Sequence, residues 1–168
     1  DSFNYPHLCE AGVNFTFDEH RILKPDFTQP MTPHLELDNN VIIFSLFPGI
    51  EEHLIRHVLD APELRSIVMR SYGSGNAPQQ PWLMNLLRKA SERNVVVVNI
   101  SQCISGQVEM NRYDTGYQLK DAGVISGYDS TVEAAVTKLM HLQAKSDDAD
   151  YIRRKMSRSI AGEITVTV

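Results

Sequence analysis

Cysteine is nearly absent. Cys9 and Cys103 are the only two in 168 residues, too few for a disulfide framework, so the expected home is a reducing cytoplasm. Long apolar runs are missing as well: none approaches the roughly 20 residues that span a bilayer. No basic segment followed by an apolar stretch marks a secretory leader. Charge of one sign does not dominate, since 16 Lys and Arg against 21 Asp and Glu leave a net −5. That balance gives nucleic acid and anionic membranes no electrostatic footing. Internal repeats and low-complexity tracts are absent too. The chain opens Asp1-Ser2 rather than with methionine, as a fragment or a processed product does. What remains is an ordinary globular composition, 42% apolar and 22% charged, long enough for one well-buried domain and an extra arm.

Residues 1–38 are rich in Pro, His, Phe and charge and carry no sustained periodicity. Pro25, Pro30 and Pro33 crowd the second half and predict an extended linker. Regular patterning begins at Asn40. Val41-Ile42-Ile43-Phe44-Ser45-Leu46, closed by Pro48-Gly49, predicts a strand. A helix over 50–59, a strand over 66–69 and a helix over 81–91 with Pro81 in its first turn follow. Next come a strand over 94–100, a short helix near 117–122 and a last strand at Val124-Ile125. Helices over 131–143 and near 147–157 close the chain. The strands are continuous apolar runs, as strands covered on both faces must be. Alternation with helices predicts a three-layer, Rossmann-like α/β domain over 39–168, a four-stranded parallel sheet flanked by helices. Such sheets bind ligands at the carboxyl ends of their strands. Three segments gather there: 70–76, Ser101-Gln102-Cys103 and the Tyr113-Asp114-Thr115-Gly116 turn.

The glycine-rich turn after Ile67-Val68-Met69 invites a nucleotide reading, which its surroundings do not support. A dinucleotide fingerprint needs a third glycine where this chain has Pro78, and an acidic residue after the next strand. That strand ends in Asn99, Ile100 and Ser101, and no P-loop lysine follows Gly75. The turn instead offers a cation in Arg70, an amide in Asn76 and hydroxyls in Ser71 and Ser74, a mixture suited to a small zwitterion. Elsewhere the plain readings hold. His53 and His57 stand four apart on a predicted helix, a metal-ligand spacing without a third ligand, and read as a helix face. Lys145, Arg153, Arg154 and Lys155 read as a solvated face, and Trp82-Leu83-Leu86-Leu87 as core.

Read together, Arg70-Ser71-Tyr72-Gly73-Ser74-Gly75-Asn76-Ala77-Pro78, Val96-Val97-Val98-Asn99 with Gln102-Cys103, and Tyr113-Asp114-Thr115-Gly116 resemble the C-terminal half of type I bacterial L-asparaginases. Asp121-Ala122-Gly123-Val124-Ile125-Ser126-Gly127, Thr131-Val132-Glu133-Ala134 and Gly162-Glu163-Ile164-Thr165 fit the same pattern. The resemblance implies hydrolysis of L-asparagine to L-aspartate and ammonia by a threonine nucleophile, without metal or cofactor. It also implies that the catalytic threonines, and the Asp and Lys that activate them, lie in an N-terminal domain. Its Thr-Gly-Gly-Thr and Gly-Thr-Asp-Thr motifs do not occur here. The chain alone is therefore expected to be inactive, a partner to that domain within a homo-oligomer, dimer or tetramer.

The resemblance assigns roles residue by residue. Asn76 would reach a neighbouring subunit's active site, bonding the substrate's amino group or orienting a catalytic threonine. Read from the turn alone, Asn76 instead caps the following helix or takes a left-handed conformation. Tyr113 stands where some relatives place a glutamate for the same amino group, and reads equally as a packed aromatic. Arg70, Ser101, Gln102 and Cys103 match a second, regulatory asparagine site. There the Arg70 fork suits an α-carboxylate, with a structural ion pair as its alternative, and Ser101 stands where the family pattern has threonine. For Cys103 the alternative is a small buried residue. Two rival functions keep the fold: a free-standing, non-catalytic amino-acid-binding or assembly module, and an asparaginase-like subunit of a tRNA-dependent amidotransferase. The acidic charge and the lack of an RNA-binding extension weigh against the second, and the apolar stretch from Phe15 to Pro33 weighs against the first.

Overall fold

In strand β4 (Ser66–Ser71) Ile67 and Met69 turn to one side and Val68 to the other, and all three have no exposed surface. Strand β5 (Val96–Ser101) repeats the arrangement, with Val97 on the first side and Val96, Val98 and Ile100 on the second. Strands apolar on both faces need cover on both, which dictates three layers. The computed structural model describes residues 6–111 and 114–165 apart from Pro25 and Gln29. It contains that sheet, parallel throughout, in the order β3 (Val41–Ser45), β4, β5, β6 (Ile125–Ser126). Two further strands, β1 (Cys9–Ala11) and β2 (Phe15–Phe17), pair antiparallel ahead of it. Helices α1 (Glu52–Leu59), α2 (Pro81–Glu92) and α3 (Asp114–Asp121) contribute Leu59, Leu83, Leu87 and Leu119 to the core on one face. On the other, α4 (Val132–Lys145) and α5 (Ala149–Met156) supply Ala135, Leu139, Leu142 and Ile152.

The expected four-stranded parallel sheet and its flanking helices are therefore present, and the departures from expectation cluster at the sheet's carboxyl edge. Strand β4 extends beyond its apolar run because Arg70 and Ser71 pair with Ile100 and Ser101. Helix α3 starts at Asp114, not near 117, so the expected Asp114-Thr115-Gly116 turn is the helix's first turn. Its periodicity is silent there because the buried residues are the small Thr115 and Gly116. The hairpin β1–β2 is also unanticipated. Its three-residue strands are too short for a pattern, and its Phe15 and Phe17 rings stack 6.5 Å apart while remaining largely exposed.

Helix boundaries follow from local chemistry. Pro81 opens α2, and the Thr131 hydroxyl accepts from the Ala134 amide at 3.2 Å to start α4. The other end of α4 is closed by one guanidinium. Arg65 donates to the carbonyls of Gln143 at 3.1 Å and Ser146 at 3.0 Å, and pairs with Asp38 at 2.6 Å and Asp147 at 2.9 Å. A cation at these carbonyls suits the negative end of the helix. The same contact anchors the start of the domain, where the Asp38 amide also donates to Met140 O at 3.0 Å. Burial would raise the Asp38 carboxyl, but the Asn40 amide and Arg65 outweigh it and hold it below its ordinary value. Among the described residues no helix is long and apolar enough to cross a membrane.

Past α5 the chain turns back across α4. Lys138, side chain 3% exposed, directs its ammonium to Glu163 at 2.5 Å and to the carbonyls of Met156 at 3.2 Å and Arg158 at 2.5 Å. Glu163 in turn accepts from the amides of Ile160 at 3.0 Å and Ala161 at 2.6 Å, so one carboxylate folds the turn and holds it to the helix.

Candidate functional site at the carboxyl edge

The loop between β4 and α2 closes on itself. Tyr72 and Asn76 exchange backbone hydrogen bonds, both 2.8 Å, and the Gly75 amide also donates to Tyr72 O at 3.0 Å. So tight a return sends the chain through the left-handed region at Gly73 (φ 49°) and Gly75 (φ 110°), where glycine is needed. Gly75 is required a second time, since a Cβ there would stand 2.8 Å from the Val108 side chain. The two glycines thus serve closure of the loop. Its three consecutive carbonyls are each held from outside. Ser101 Oγ donates to Gly73 O at 2.6 Å, the Glu109 amide to Ser74 O at 3.0 Å, and Asn99 Nδ2 to Gly75 O at 3.1 Å.

Asn76 sits half-buried at the end of this loop. Its Oδ1 accepts from the Thr115 hydroxyl at 2.9 Å, which ties it to the first turn of α3. It neither caps α2, whose N-cap is Gln80, nor adopts a positive φ. With Oδ1 engaged, the two N–H donors of Nδ2 have no partner among the described residues and point the chemistry of this side chain toward an external acceptor. One lone pair of Oδ1 also remains.

Arg70 lies at the last rung of β3, opposite Ser45, with Ile100 on its other side. Among the described residues it makes no ion pair. Its closest polar contact is Nη1 to Ser45 Oγ at 3.4 Å, and Nε is buried without a partner. A half-buried guanidinium left so short of acceptors is expensive, because hydrogen bonds to charged groups are worth about 1.5–3 kcal/mol each. The alternative reading of Arg70 as half of a structural ion pair finds no partner among the described residues, and the fork is open to a carboxylate.

The turn after β5 is built against the same edge. Gln102 donates from Nε2 to Leu46 O at 2.6 Å and Arg70 O at 2.8 Å, and from its backbone to Ser71 O at 2.9 Å. Its amide donors are spent on the scaffold, so Oε1 is the atom left for a ligand's ammonium. Ser101 is similarly committed, donating to Gly73 O and accepting from the Cys103 amide at 3.0 Å. Gly106 lies over that hydroxyl so closely that a Cβ would fall 2.2 Å from it. Cys103 is an exposed free thiol, which corrects the reading of it as a small buried residue. Tyr113 lies outside the described residues.

Four of the candidates, Arg70, Ser101, Gln102 and Cys103, thus meet at one corner, and Asn76 stands across the 72–76 loop from them. Thr115 and Asn99 complete the arrangement and were not singled out from sequence. Thr115 gave no signal beyond its place in the Tyr113-Asp114-Thr115-Gly116 phrase. Asn99 did: it interrupts a buried run of valine and isoleucine, is itself 0% exposed, and has an Oδ1 with no partner. A buried, unsatisfied carbonyl costs about 1–3 kcal/mol. A separate cavity of about 660 Å³ between α4, α5 and the C-terminal turn is lined by none of these residues.

Comparison with known proteins agrees with the fold. The model of the Glutaminase/Asparaginase C-terminal domain family matches residues 40–156. L-asparaginase 1 of Escherichia coli (strain K12) is 39% identical over 170 residues, covering 96% of this chain and 47% of the relative. The crystal structure of L-asparaginase I from Vibrio cholerae superposes with a TM-score of 0.91 at 37% identity, over 99% of this chain and 50% of that one. A glutamyl-tRNA(Gln) amidotransferase subunit from Methanobrevibacter smithii is 37% identical over 127 residues, 76% of this chain and 28% of the relative. The chain spans about half the length of the asparaginases it matches. With its four-stranded sheet and the 70–76 loop set at the carboxyl edge, the chain belongs to the glutaminase/asparaginase C-terminal domain family.

Proposed function

We propose that this chain is the C-terminal half of a cytoplasmic L-asparaginase, which hydrolyses L-asparagine to L-aspartate and ammonia through a threonine nucleophile in an N-terminal domain. Its contribution is twofold: a regulatory asparagine site built on Arg70, Ser101, Gln102 and Cys103, and Asn76, lent to the active site of a neighbouring subunit in a homo-oligomer. Tyr113 takes an auxiliary place beside Asn76 on the resemblance alone. Residues 1–38 act as the interdomain linker and 39–168 as the domain. The exposure of Phe27 and Met31, 91% and 93%, supports a linker that lies against another domain. Both free cysteines suit a reducing compartment. The asparaginase match reaches 96% of the chain against 76% for the amidotransferase subunit, which favours the hydrolase.

The observation that carries the regulatory site is Arg70, a half-buried fork with a bare Nε and no carboxylate partner among the described residues. A bound amino acid supplies the missing acceptor through its α-carboxylate, and the open Gln102 Oε1 receives its ammonium. In the full-length enzyme, Arg70→Ala should remove a charged pair worth about 1.5–3 kcal/mol. Effector affinity should then fall about ten- to hundredfold. Sigmoidal asparagine kinetics should flatten toward a hyperbola while the maximal rate is largely kept. An unchanged Hill coefficient in Arg70→Ala would sink the effector assignment. Asn76→Ala should lower kcat/KM by about tenfold or more without dissolving the oligomer, and unchanged kinetics would leave Asn76 a loop residue.

A further inference from the structure

Asn99 is a costly residue for a buried strand and has one visible use. It stands at the centre of β5 among Val96, Val97, Val98 and Ile100, has no exposed surface, and keeps a buried Oδ1 without a partner. Valine or isoleucine, as at its neighbours, would suit the packing better. Its single side-chain hydrogen bond among the described residues goes to the carbonyl of Gly75, the residue before Asn76. That carbonyl sits where the backbone is at φ 110°, and a Cβ at this glycine would stand 2.8 Å from the Val108 side chain and 3.4 Å from Asn99 Nδ2. The Gly75 peptide is thus bonded by Asn99 and packed closely by Val108. The loop's remaining carbonyls are held by Ser101 and by the Glu109 amide, and the Asn76 side chain by Thr115. Of the three carbonyl tethers, that of Asn99 falls on the residue next to Asn76, and Asn99 is drawn from the middle of β5.

We propose that Asn99 is a positioning residue for the hydrolysis, acting through Asn76: it fixes the Gly75–Asn76 peptide so that the Asn76 amide is presented to the neighbouring active site without search. The proposal rests on the reading of Asn76 as a residue lent in trans. Without the Asn99 donor the loop keeps its Tyr72–Asn76 closure and its Ser101 bond but loses its anchor at Gly75, and Asn76 drifts. Misplacing a positioned group by about 1 Å costs up to about 100-fold in rate.

The test is a double-mutant cycle in the full-length enzyme, reading kcat/KM for asparagine hydrolysis. Asn99→Leu removes the donor and keeps the volume. Asn76→Ala removes the presented amide. Each should lower kcat/KM by about tenfold or more, and the double variant should be no worse than Asn76→Ala alone, because Asn99 has nothing left to position. A general structural role would instead multiply the two losses. If Asn99→Leu prevents folding, Asn99→Ala carries the same comparison. Wild-type kcat/KM in Asn99→Leu, or multiplied losses in the double variant, overturns the proposal alone. A silent Asn76→Ala removes the reading on which the proposal rests, and the proposal with it.

Discussion

Glu163→Ala should lower the unfolding free energy by about 3–5 kcal/mol, because it leaves the buried Lys138 ammonium without a counter-charge. Domains of this kind are stable by about 5–15 kcal/mol in total, so a large part of the whole rests on one carboxylate. The geometry accounts for the size. Lys138 has three N–H donors and three acceptors: Glu163, Met156 O and Arg158 O. Only 3% of its side chain and 12% of that of Glu163 are exposed. Removing Glu163 also frees the Ile160 and Ala161 amides, so the turn opens as the charge is stranded. The urea midpoint of this chain reads the loss. Lys138→Met combined with Glu163→Leu should recover most of it, since apolar side chains of similar volume replace buried ion pairs with little penalty. The pH dependence has a definite sign. Burial pushes the Glu163 carboxyl up, yet the Lys138 hydrogen bond and the backbone amides outweigh it and hold it below its ordinary value of 4.5. A carboxyl lowered on folding stabilises fully above that ordinary value and loses its contribution as pH falls through the folded one. Wild-type stability should therefore fall more steeply below pH 4.5 than that of Glu163→Gln. A parallel decline in the two would mean that the ion pair is energetically idle.

Gly116→Ala should cost about 1–3 kcal/mol by overpacking, although helix propensity alone predicts a gain of about 1 kcal/mol. The steric effect wins because of what the methyl group meets. An ideal Cβ at Gly116 stands 2.4 Å from the Met110 carbonyl oxygen, 2.8 Å from its carbon and 3.0 Å from its Cα. These are backbone atoms and have no rotamer to retreat into. Relief comes only by moving the first turn of α3, and that turn carries Thr115. The 2.9 Å bond from Thr115 to Asn76 lengthens or breaks with it. The variant should therefore show two signatures, a lower urea midpoint and a shifted side-chain amide resonance of Asn76 by NMR. A raised midpoint would mean that the close approach to Met110 is not there.

Most of the layered architecture could be read from residue order. Ile67-Val68-Met69 and Val95-Val96-Val97-Val98 have no polar face, so burial on both sides follows from composition, and the intervening amphipathic runs supply the cover. What stayed hidden depends on contacts distant in sequence. Arg70 and Ser71 continue β4 only because Ile100 and Ser101 lie beside them, and nothing local tells a strand residue from a loop residue there. The start of α3 is masked because its buried face is threonine and glycine rather than leucine. At the site, Arg70, Gln102 and Asn76 stand out by residue type, whereas Thr115 matters only through a partner 39 residues away. Asn99 is the intermediate case: its misfit in an apolar strand is visible in the sequence, but the bond to Gly75 that explains it is not.

The sheet's spatial order, β3-β4-β5-β6, is also the order in which the strands are synthesised. No strand has to insert between two already paired; each emerging strand joins a single growing edge, and the chain between neighbours is one helical crossover. The two faces mature at different times. Helices α1 and α2 arrive between the strands they cover, so the first core can close as translation proceeds. The second core cannot. Val68, Val96, Val98 and Ile100 wait for Leu139, Leu142 and Ile152, all supplied after the last strand has been made. During that interval the nascent domain carries a bare apolar sheet face at the ribosome, the stage at which a holding chaperone has most to recognise.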